Sequence, residues 1–380
     1  MTGPRPLSRG SNTMSSEGAV CLRDYIDVEP LTYEAIRKRV LEMYRERVKI
    51  PKSPEFRERS KRVAFRYMVK AEKVFQYIAV TLGKLARLPP TSSLNPFYAE
   101  LVKIATNGMY DELRREASRV VKIVSGMWRE YRERILGGGV NAKKFSTEFI
   151  GRVLSIVRRK VRALSITQSI SYIARTTPCI DFEKPLVIVS GMPQVGKSTF
   201  VSRVSTAKPK TSPYPFTTKN VVIGHVKLGD VVIQVMDTPG ILDRSLEEMN
   251  EIERKAVAAL QHLKAVALYL IDASRDSYYT LEQQLRVLKT VEGVVGKDRV
   301  ILVFNKVDKT EKEVLENAKS VVNAMGYSRC LEMSALLGVN VWAAVVEAIN
   351  LYDKLFGTRF SELLSLYSSS ITSNSGPSSS

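Results

Sequence analysis

From residue 30 to about residue 175, apolar positions recur every three to four residues, and period-two alternation is scarce. That spacing predicts helices near 31–49, 54–87, 95–106, 109–135 and 143–175. Turn signals separate them: Pro51 and Pro54, Pro89-Pro90, Gly108, and the run Gly137-Gly138-Gly139. Within 54–87, Tyr67, Ala71, Val74, Ile78, Leu82 and Leu85 make one apolar stripe, the face a bundle buries.

The pattern changes at TTPCIDFEKP (176–185). PLVIVSG is an uninterrupted apolar run ending at a glycine, which reads as a strand buried on both faces. NVVIGHVKL, VVIQVMD, AVALYLID, RVILVFN and CLEMS follow as further strands, with helical segments expected at 197–205, 246–263, 280–291, 311–325 and 340–355. Leu228-Gly229-Asp230-Val231 reads as a hairpin turn, making two of the strands antiparallel. The expected fold class is an α/β domain, mostly parallel with one antiparallel strand, preceded by an all-α bundle. The expected boundaries are a disordered N-terminus 1–20, a basic helical bundle 21–178, an α/β domain 179–357 and a Ser-rich disordered tail 358–380.

Charge sharpens this division. The chain carries a net +19. Residues 1–180 hold 35 Lys and Arg against 17 Asp and Glu, whereas the remainder holds 23 against 22. An excess confined to one half points to an anionic partner for that half. No apolar run approaches the roughly 18 residues of a membrane helix. Cys21, Cys179 and Cys330 are far apart and lack metal-ligand spacing. Each is expected to be a small buried hydrophobe in a reducing compartment. His225 and His262, with no carboxylate or thiol cluster beside them in sequence, read as structural.

GMPQVGKS (191–198) fits G-x-x-x-x-G-K-[ST] between a buried strand and a helix. In such a loop the backbone N–H groups of Gly191, Gln194, Val195, Gly196 and the helix start, through Thr199, cradle phosphates. Lys197 reaches the β- and γ-phosphates and Ser198 ligates Mg²⁺. In DTPG (237–240), Asp237 ends a buried strand and is placed to hold Mg²⁺. Gly240 offers its N–H to a γ-phosphate. YPFTTK (214–219) supplies a threonine to close over the metal; Thr217 and Thr218 are both candidates, with Thr218 favoured. NKVD (305–308) follows the strand RVILVFN. Asn305 and Asp308 suit guanine, since a carboxylate accepts from both its ring N–H and its amine, and the Lys306 stem covers the base. In SAL, Ser334, Ala335 and Leu336 close the base site, with the Ala335 N–H aimed at the guanine oxygen. Lys197, Thr218 and Gly240 form the candidate catalytic set, and Ser198, Thr218 and Asp237 the candidate metal set. NKVD argues against a phosphate-loop kinase.

Taken in order, these motifs resemble the Obg-related GTPases. YPFTTKNVVIGHVKLGDVVIQVMDTPGILDR most closely resembles the Nog family of nucleolar GTP-binding proteins. LNPFYAEL (94–101) and VRRKVRALSITQSISYIARTTPCIDFEKP (157–185) resemble that family's helical N-terminal region. The resemblance implies a GTPase that binds GTP and GDP with Mg²⁺ and assists large ribosomal subunit assembly, contacting ribosomal RNA. It further implies an archaeal-type, cytoplasmic protein, monomeric off the ribosome. Gln194 departs from the family's usual Asn, a residue that holds K⁺ in several potassium-stimulated GTPases, which puts cation stimulation in question.

Arg59, Arg62, Arg66, Lys70 and Lys73 fall at helical spacing on one stripe, and Arg152, Arg159 and Arg162 share a second face beside Arg158 and Lys160. Such stripes neutralise RNA phosphates with little base readout. With that resemblance they favour ribosomal RNA over a membrane. Two readings of the nucleotide domain stand: a slow GTPase, or a nucleotide-stabilised assembly factor without turnover. The question turns on Ile241, which follows Gly240 where many such enzymes carry a water-positioning glutamine. Isoleucine cannot hydrogen-bond, so slow intrinsic turnover and dependence on a partner are expected, with Arg244 a local contributor.

Overall fold

A computed structural model describes residues 19–228, 231–327 and 330–365. The chain divides into two compact units, one of them Leu22–Arg175 and the other including Cys21 and everything from Thr176 onward.

In the first unit the apolar periods become α1 (Leu22–Tyr25), α2 (Tyr33–Arg45), α3 (Arg59–Ala86), α4 (Pro96–Thr106), α5 (Tyr110–Gly137), α6 (Ala142–Lys160) and α7 (Ile166–Thr176). Helices α3 and α5, 28 residues each, form the spine with α6. Ala64, Ala71, Val74, Ile78, Leu82 and Leu85 of α3 are buried, as are Leu113, Ala117, Val120 and Val124 of α5, against which α3 packs. Tyr67, expected in this stripe, is only half-buried. Aromatic rings bind the three helices: Phe75 stacks on Trp128 at 5.2 Å, and Phe149 meets Trp128 and Tyr131 at 5.4 and 5.5 Å. Side-chain caps set the helix starts: Thr32 accepts the Ala35 N–H, and Asn95 accepts that of Phe97 before Pro96 at the first helical position.

The single helix expected over 143–175 breaks. Val161 leaves helical dihedrals (φ −110°, ψ 67°), a 3₁₀ turn spans Arg162–Ser165, and α7 restarts at Ile166. The Thr167 hydroxyl holds the break, donating to the Leu164 carbonyl at 2.6 Å and accepting the Leu31 N–H at 2.8 Å. Arg162 therefore sits on the turn, its Nε donating to the Arg159 carbonyl, and does not continue the face of Arg152 and Arg159.

The second unit contains β1 (Leu186–Ser190), α8 (Lys197–Val204), β2 (Lys210–Pro213), β3 (Asn220–Leu228), β4 (Val231–Asp237), α9 (Glu251–Ala258), β5 (Ala265–Asp272), α10 (Leu281–Val295), β6 (Val300–Asn305), α11 (Lys312–Ala324), β7 (Cys330–Glu332) and α12 (Val341–Phe356). The sheet order is β2-β3-β4-β1-β5-β6-β7. β4, β1, β5, β6 and β7 are parallel, while β3 runs antiparallel to both β2 and β4. Every residue of β1, β5 and β6 is buried, which explains their unbroken apolar runs. β2 was not foreseen: it is a four-residue edge strand with Pro213 in it. The helix expected over 246–263 is α9 between two 3₁₀ turns, because Asn250 and Glu253 form a reciprocal capping box that starts a helix there. Gly229 and Asp230, the expected hairpin turn, lie outside the described residues.

The cysteines correct an expectation. Cys21 and Cys179 form a disulfide across 158 positions, and Val20 pairs with Ile180 through two backbone hydrogen bonds of 3.3 Å. Val20, assigned to the irregular N-terminus, is thus held against the start of the α/β unit. Cys330 is free and half-buried, and burial raises its thiol pKa. Residues 360–365, assigned to the tail, are helical. Asp353 accepts the Phe360 and Ser361 amides at 3.1 and 2.6 Å, and Leu364 is buried. Residues 366–380 and 1–18 lie outside the description. Among the described residues no helix is long and apolar enough to cross a membrane.

Candidate nucleotide-binding site

The glycine-rich loop leaves β1 at Ser190 and enters α8 at Lys197, at the carboxyl end of the parallel strands. Gly196 is left-handed (φ 100°), and a Cβ there would stand 2.3 Å from Asn305 Nδ2. Only glycine allows both. Gln194, with φ 66°, holds a conformation rare for a side-chain-bearing residue. Phe216 (φ 63°) and Lys306 (φ 62°) share it, so each of three loops at this end stores backbone strain. The Gln194 side chain is exposed, as are Ser198 and Thr199 on the first turn of α8, whereas Val195 is buried.

Lys197 is 6% exposed, and its ammonium donates to the carbonyls of Gly191 and Met192, both at 2.8 Å. Burial lowers its pKa, and the carboxylates of Asp243 and Asp237 oppose that shift. The ammonium is held at the loop mouth, dry and close to negative charge.

Ser198 and Asp237, 39 positions apart, meet: the Ser198 hydroxyl donates to Asp237 Oδ2 at 2.7 Å. Asp237 is fully buried, and burial pushes its pKa up against the Ser198 hydrogen bond and Lys197. Its other oxygen, Oδ1, is buried with no protein partner. A buried carboxylate oxygen normally has one. A hydroxyl and an orphan carboxylate oxygen beside a phosphate cradle form the sparse oxygen set that a small hard cation uses.

The segment after β4 is fixed at several points. The Thr238 hydroxyl donates to the Val189 carbonyl, and Ser190 donates to that of Leu242. Gly240 is left-handed (φ 74°), and the Lys219 stem covers it; a Cβ would lie 2.6 Å from Lys219 Cδ. Ile241 is 1% exposed and packs into the core. Arg244 is engaged locally: Nη2 meets Glu253 at 3.3 Å and Nη1 donates to the Glu248 carbonyl. The two threonines differ. Thr217 Oγ1 donates to the Tyr214 carbonyl and accepts the Lys219 N–H, closing the turn, while Thr218 is exposed. Thr218 is therefore the one whose hydroxyl is not spent on this turn.

At the base end, the structure redistributes the expected roles. Asn305 is 2% exposed; its Nδ2 donates to the Val195 carbonyl at 2.7 Å and its Oδ1 accepts the Ala335 N–H at 2.9 Å. It bolts the glycine-rich loop to SAL. The Ala335 N–H, expected to face a guanine oxygen, is spent on that bolt. The Lys306 ammonium pairs with buried Asp272 at 2.6 Å, which fixes its stem. Ser334 is buried and its hydroxyl accepts the Leu337 N–H, while Asp308 and Leu336 are exposed. Sequence reasoning missed Asp272 and Asp243. Asp272 was visible as the polar end of AVALYLID; Asp243 had no local signal.

A cavity of about 480 Å³ opens beside the loop, lined by Met192, Pro193, Lys219, Gly240, Asp243, Arg244, Ser245 and Glu248 and by Tyr279, Gln283, Arg286 and Val287 at the start of α10.

In the helical unit, Arg59, Arg62 and Arg66 are exposed along α3. The other two cations of that stripe are engaged within the unit. Lys70 donates to the Tyr44 carbonyl at 2.6 Å beneath the Tyr44 and Tyr67 rings, and burial lowers its pKa; Lys73 pairs with Glu46 at 2.8 Å. On α6, Arg152 pairs with Glu148 at 2.9 Å, and Arg158, Arg159 and Lys160 are exposed.

Comparison with known proteins yields two family matches. Residues 251–308 match the family described as nucleolar GTP-binding protein 1, and residues 34–181 match its N-terminal helical domain. A nucleolar GTP-binding protein 1 of Encephalitozoon cuniculi is 30% identical over 325 residues, covering 80% of this chain and 59% of that protein. An uncharacterized protein of Methanocaldococcus jannaschii is 31% identical over 250 residues, covering 64% and 69%. The Saccharomyces cerevisiae nucleolar GTP-binding protein 1 is 29% identical, covering 62% and 37%. The chain thus spans 59% and 37% of the length of the two nucleolar GTP-binding protein 1 relatives and 69% of the Methanocaldococcus jannaschii protein. A crystal structure of a putative nucleolar GTP-binding protein 1 from Plasmodium falciparum aligns at 29% identity and TM-score 0.41, covering 51% of this chain and 97% of that one.

Proposed function

Since the chain belongs to the nucleolar GTP-binding protein 1 family, we propose that it binds GTP and GDP, hydrolyses GTP slowly with Mg²⁺, and acts on large ribosomal subunit precursors through its basic helical unit. The observation that carries the nucleotide reading is the meeting of Ser198 with Asp237 beside buried Lys197, with Asp237 Oδ1 left without a protein partner. Ser198, Asp237 and Thr218 would hold Mg²⁺, which neutralises phosphate charge when bound. Lys197 presents its ammonium to the β- and γ-phosphates by exchanging two loop carbonyls for phosphate oxygens. Gly240 offers its N–H to the γ-phosphate. Asp308 reads the guanine edge, while Asn305 holds the two loops that frame the base.

Ile241 supports a second reading. Its side chain is buried, so no group directly after Gly240 reaches toward an attacking water. A nucleotide that only stabilises the fold of an RNA-binding assembly factor fits that observation. Single-turnover GTP hydrolysis separates the two readings, measured in K⁺ or Na⁺ and with or without large ribosomal subunits. The GTPase reading expects acceleration by K⁺, RNA or subunits and at least about a hundredfold loss in Lys197→Ala. A rate equal to that of Lys197→Ala under every condition leaves only the binding module.

A further inference from the structure

The N–H of Gly240 already has a partner in the protein. It donates to Asp243 Oδ2 at 2.6 Å, a charge-assisted bond across three residues. The position of that carboxylate matters more than its closeness in sequence. Asp243 is half-buried at the wall of the cavity beside Met192 and Lys219. Its carboxylate is near enough to Lys197 and Asp237 for its negative charge to bear on both. Bonded to Gly240 in the cavity that Met192 and Lys219 also line, it stands where the γ-phosphate proposed above would put its own negative charge. Arg244, the next residue, is held by Glu253.

One N–H cannot serve two anions at once, and two anions cannot share this space without repulsion. We infer that Asp243 sets the preference between GTP and GDP by competing with the γ-phosphate for the Gly240 N–H. The inference rests on the nucleotide site proposed above. GDP has no γ-phosphate, so the Asp243–Gly240 bond survives its binding. GTP must displace the carboxylate, and the cost of that displacement is subtracted from its affinity. The segment from Gly240 to Asp243 then responds to the third phosphate through a bond the chain supplies itself. A carboxylate that only braced the turn would serve both nucleotides equally, and losing it would change both affinities together.

The test measures the affinities of the full chain for fluorescent GDP and for a fluorescent β,γ-imido analogue of GTP, with Mg²⁺. Wild type is compared with Asp243→Asn, which keeps the shape and an acceptor but removes the charge, and with Asp243→Ala, which removes both. Thermal melting verifies that each variant is folded. The expected result is tighter binding of the GTP analogue by about tenfold in both variants, with GDP affinity unchanged. An unchanged ratio of the two affinities overturns the inference while leaving the nucleotide site intact, and so does a parallel loss for both nucleotides. Binding of neither nucleotide by wild type overturns the nucleotide reading itself and this inference with it.

Discussion

The two units differ in how their chemistry is written. In the α/β unit, chemistry sits in contiguous motifs of three to eight residues near strand ends, and the charge balance is nearly neutral. In the helical unit the chemical signal is an excess of cations spread over 28-residue helices, not a short phosphate- or base-binding motif. A phosphate cradle needs backbone N–H groups from consecutive residues, so its sequence must be local. A surface that meets a nucleic-acid backbone needs only charge at suitable spacing, which many arrangements satisfy. The first kind of signal identifies residues. The second identifies a face, and packing decides which cations remain on it.

That contrast can be broken most strongly at the disulfide between Cys21 and Cys179. Cys21→Ser opens a loop of 158 residues and is expected to cost about 4–5 kcal/mol, read as a lower unfolding midpoint. Dithiothreitol should reproduce the loss in wild type and change nothing in the variant; equal midpoints throughout would deny the disulfide a stabilising role. The next effect tests the local kind of signal. Asp308→Ala should lower guanine-nucleotide affinity by about a hundredfold or more while adenine nucleotides remain weak, because the guanine N–H groups lose their acceptor. Unchanged selectivity would move base recognition elsewhere. The smallest effect tests the distributed kind. Charge reversal at Arg59, Arg62 and Arg66 should weaken ribosomal RNA binding by about tenfold and flatten its salt dependence by two to three counterions, as titrations at several salt concentrations would show. Lys70→Ala should instead reduce stability by about 1–2 kcal/mol and leave the salt slope nearly unchanged, since its ammonium is already committed to Tyr44. Equal effects on the slope would erase the distinction between exposed and engaged cations.

What was legible followed from local order. The runs LVIVS, AVALYLID and VILVFN were readable as strands because a strand buried on both faces must be apolar throughout. β2 was not, because four edge residues carry too little pattern. The break at Val161 was hidden because Thr167 holds it through a contact with Leu31, 136 positions away. The paired cysteines were read singly for the same reason. At the site, the glycine-rich loop and DTPG could be quoted from the chain, but their convergence through Ser198 and Asp237 could not. Asn305 was read as a base-site residue by position, and the atoms it engages in the structure are those of Val195 and Ala335.

By itself the sequence determined the fold class, the order of the loops and the family, because each depends on patterns within about ten residues. Only the tertiary structure decided that Ile241 turns inward, that Lys70 and Lys73 serve the bundle, and that Asp243 holds the Gly240 N–H. The physical reason is that a side chain's role depends on which of several possible partners it meets. A hydrogen bond acts over about 3 Å, and the fold alone sets which groups come that close.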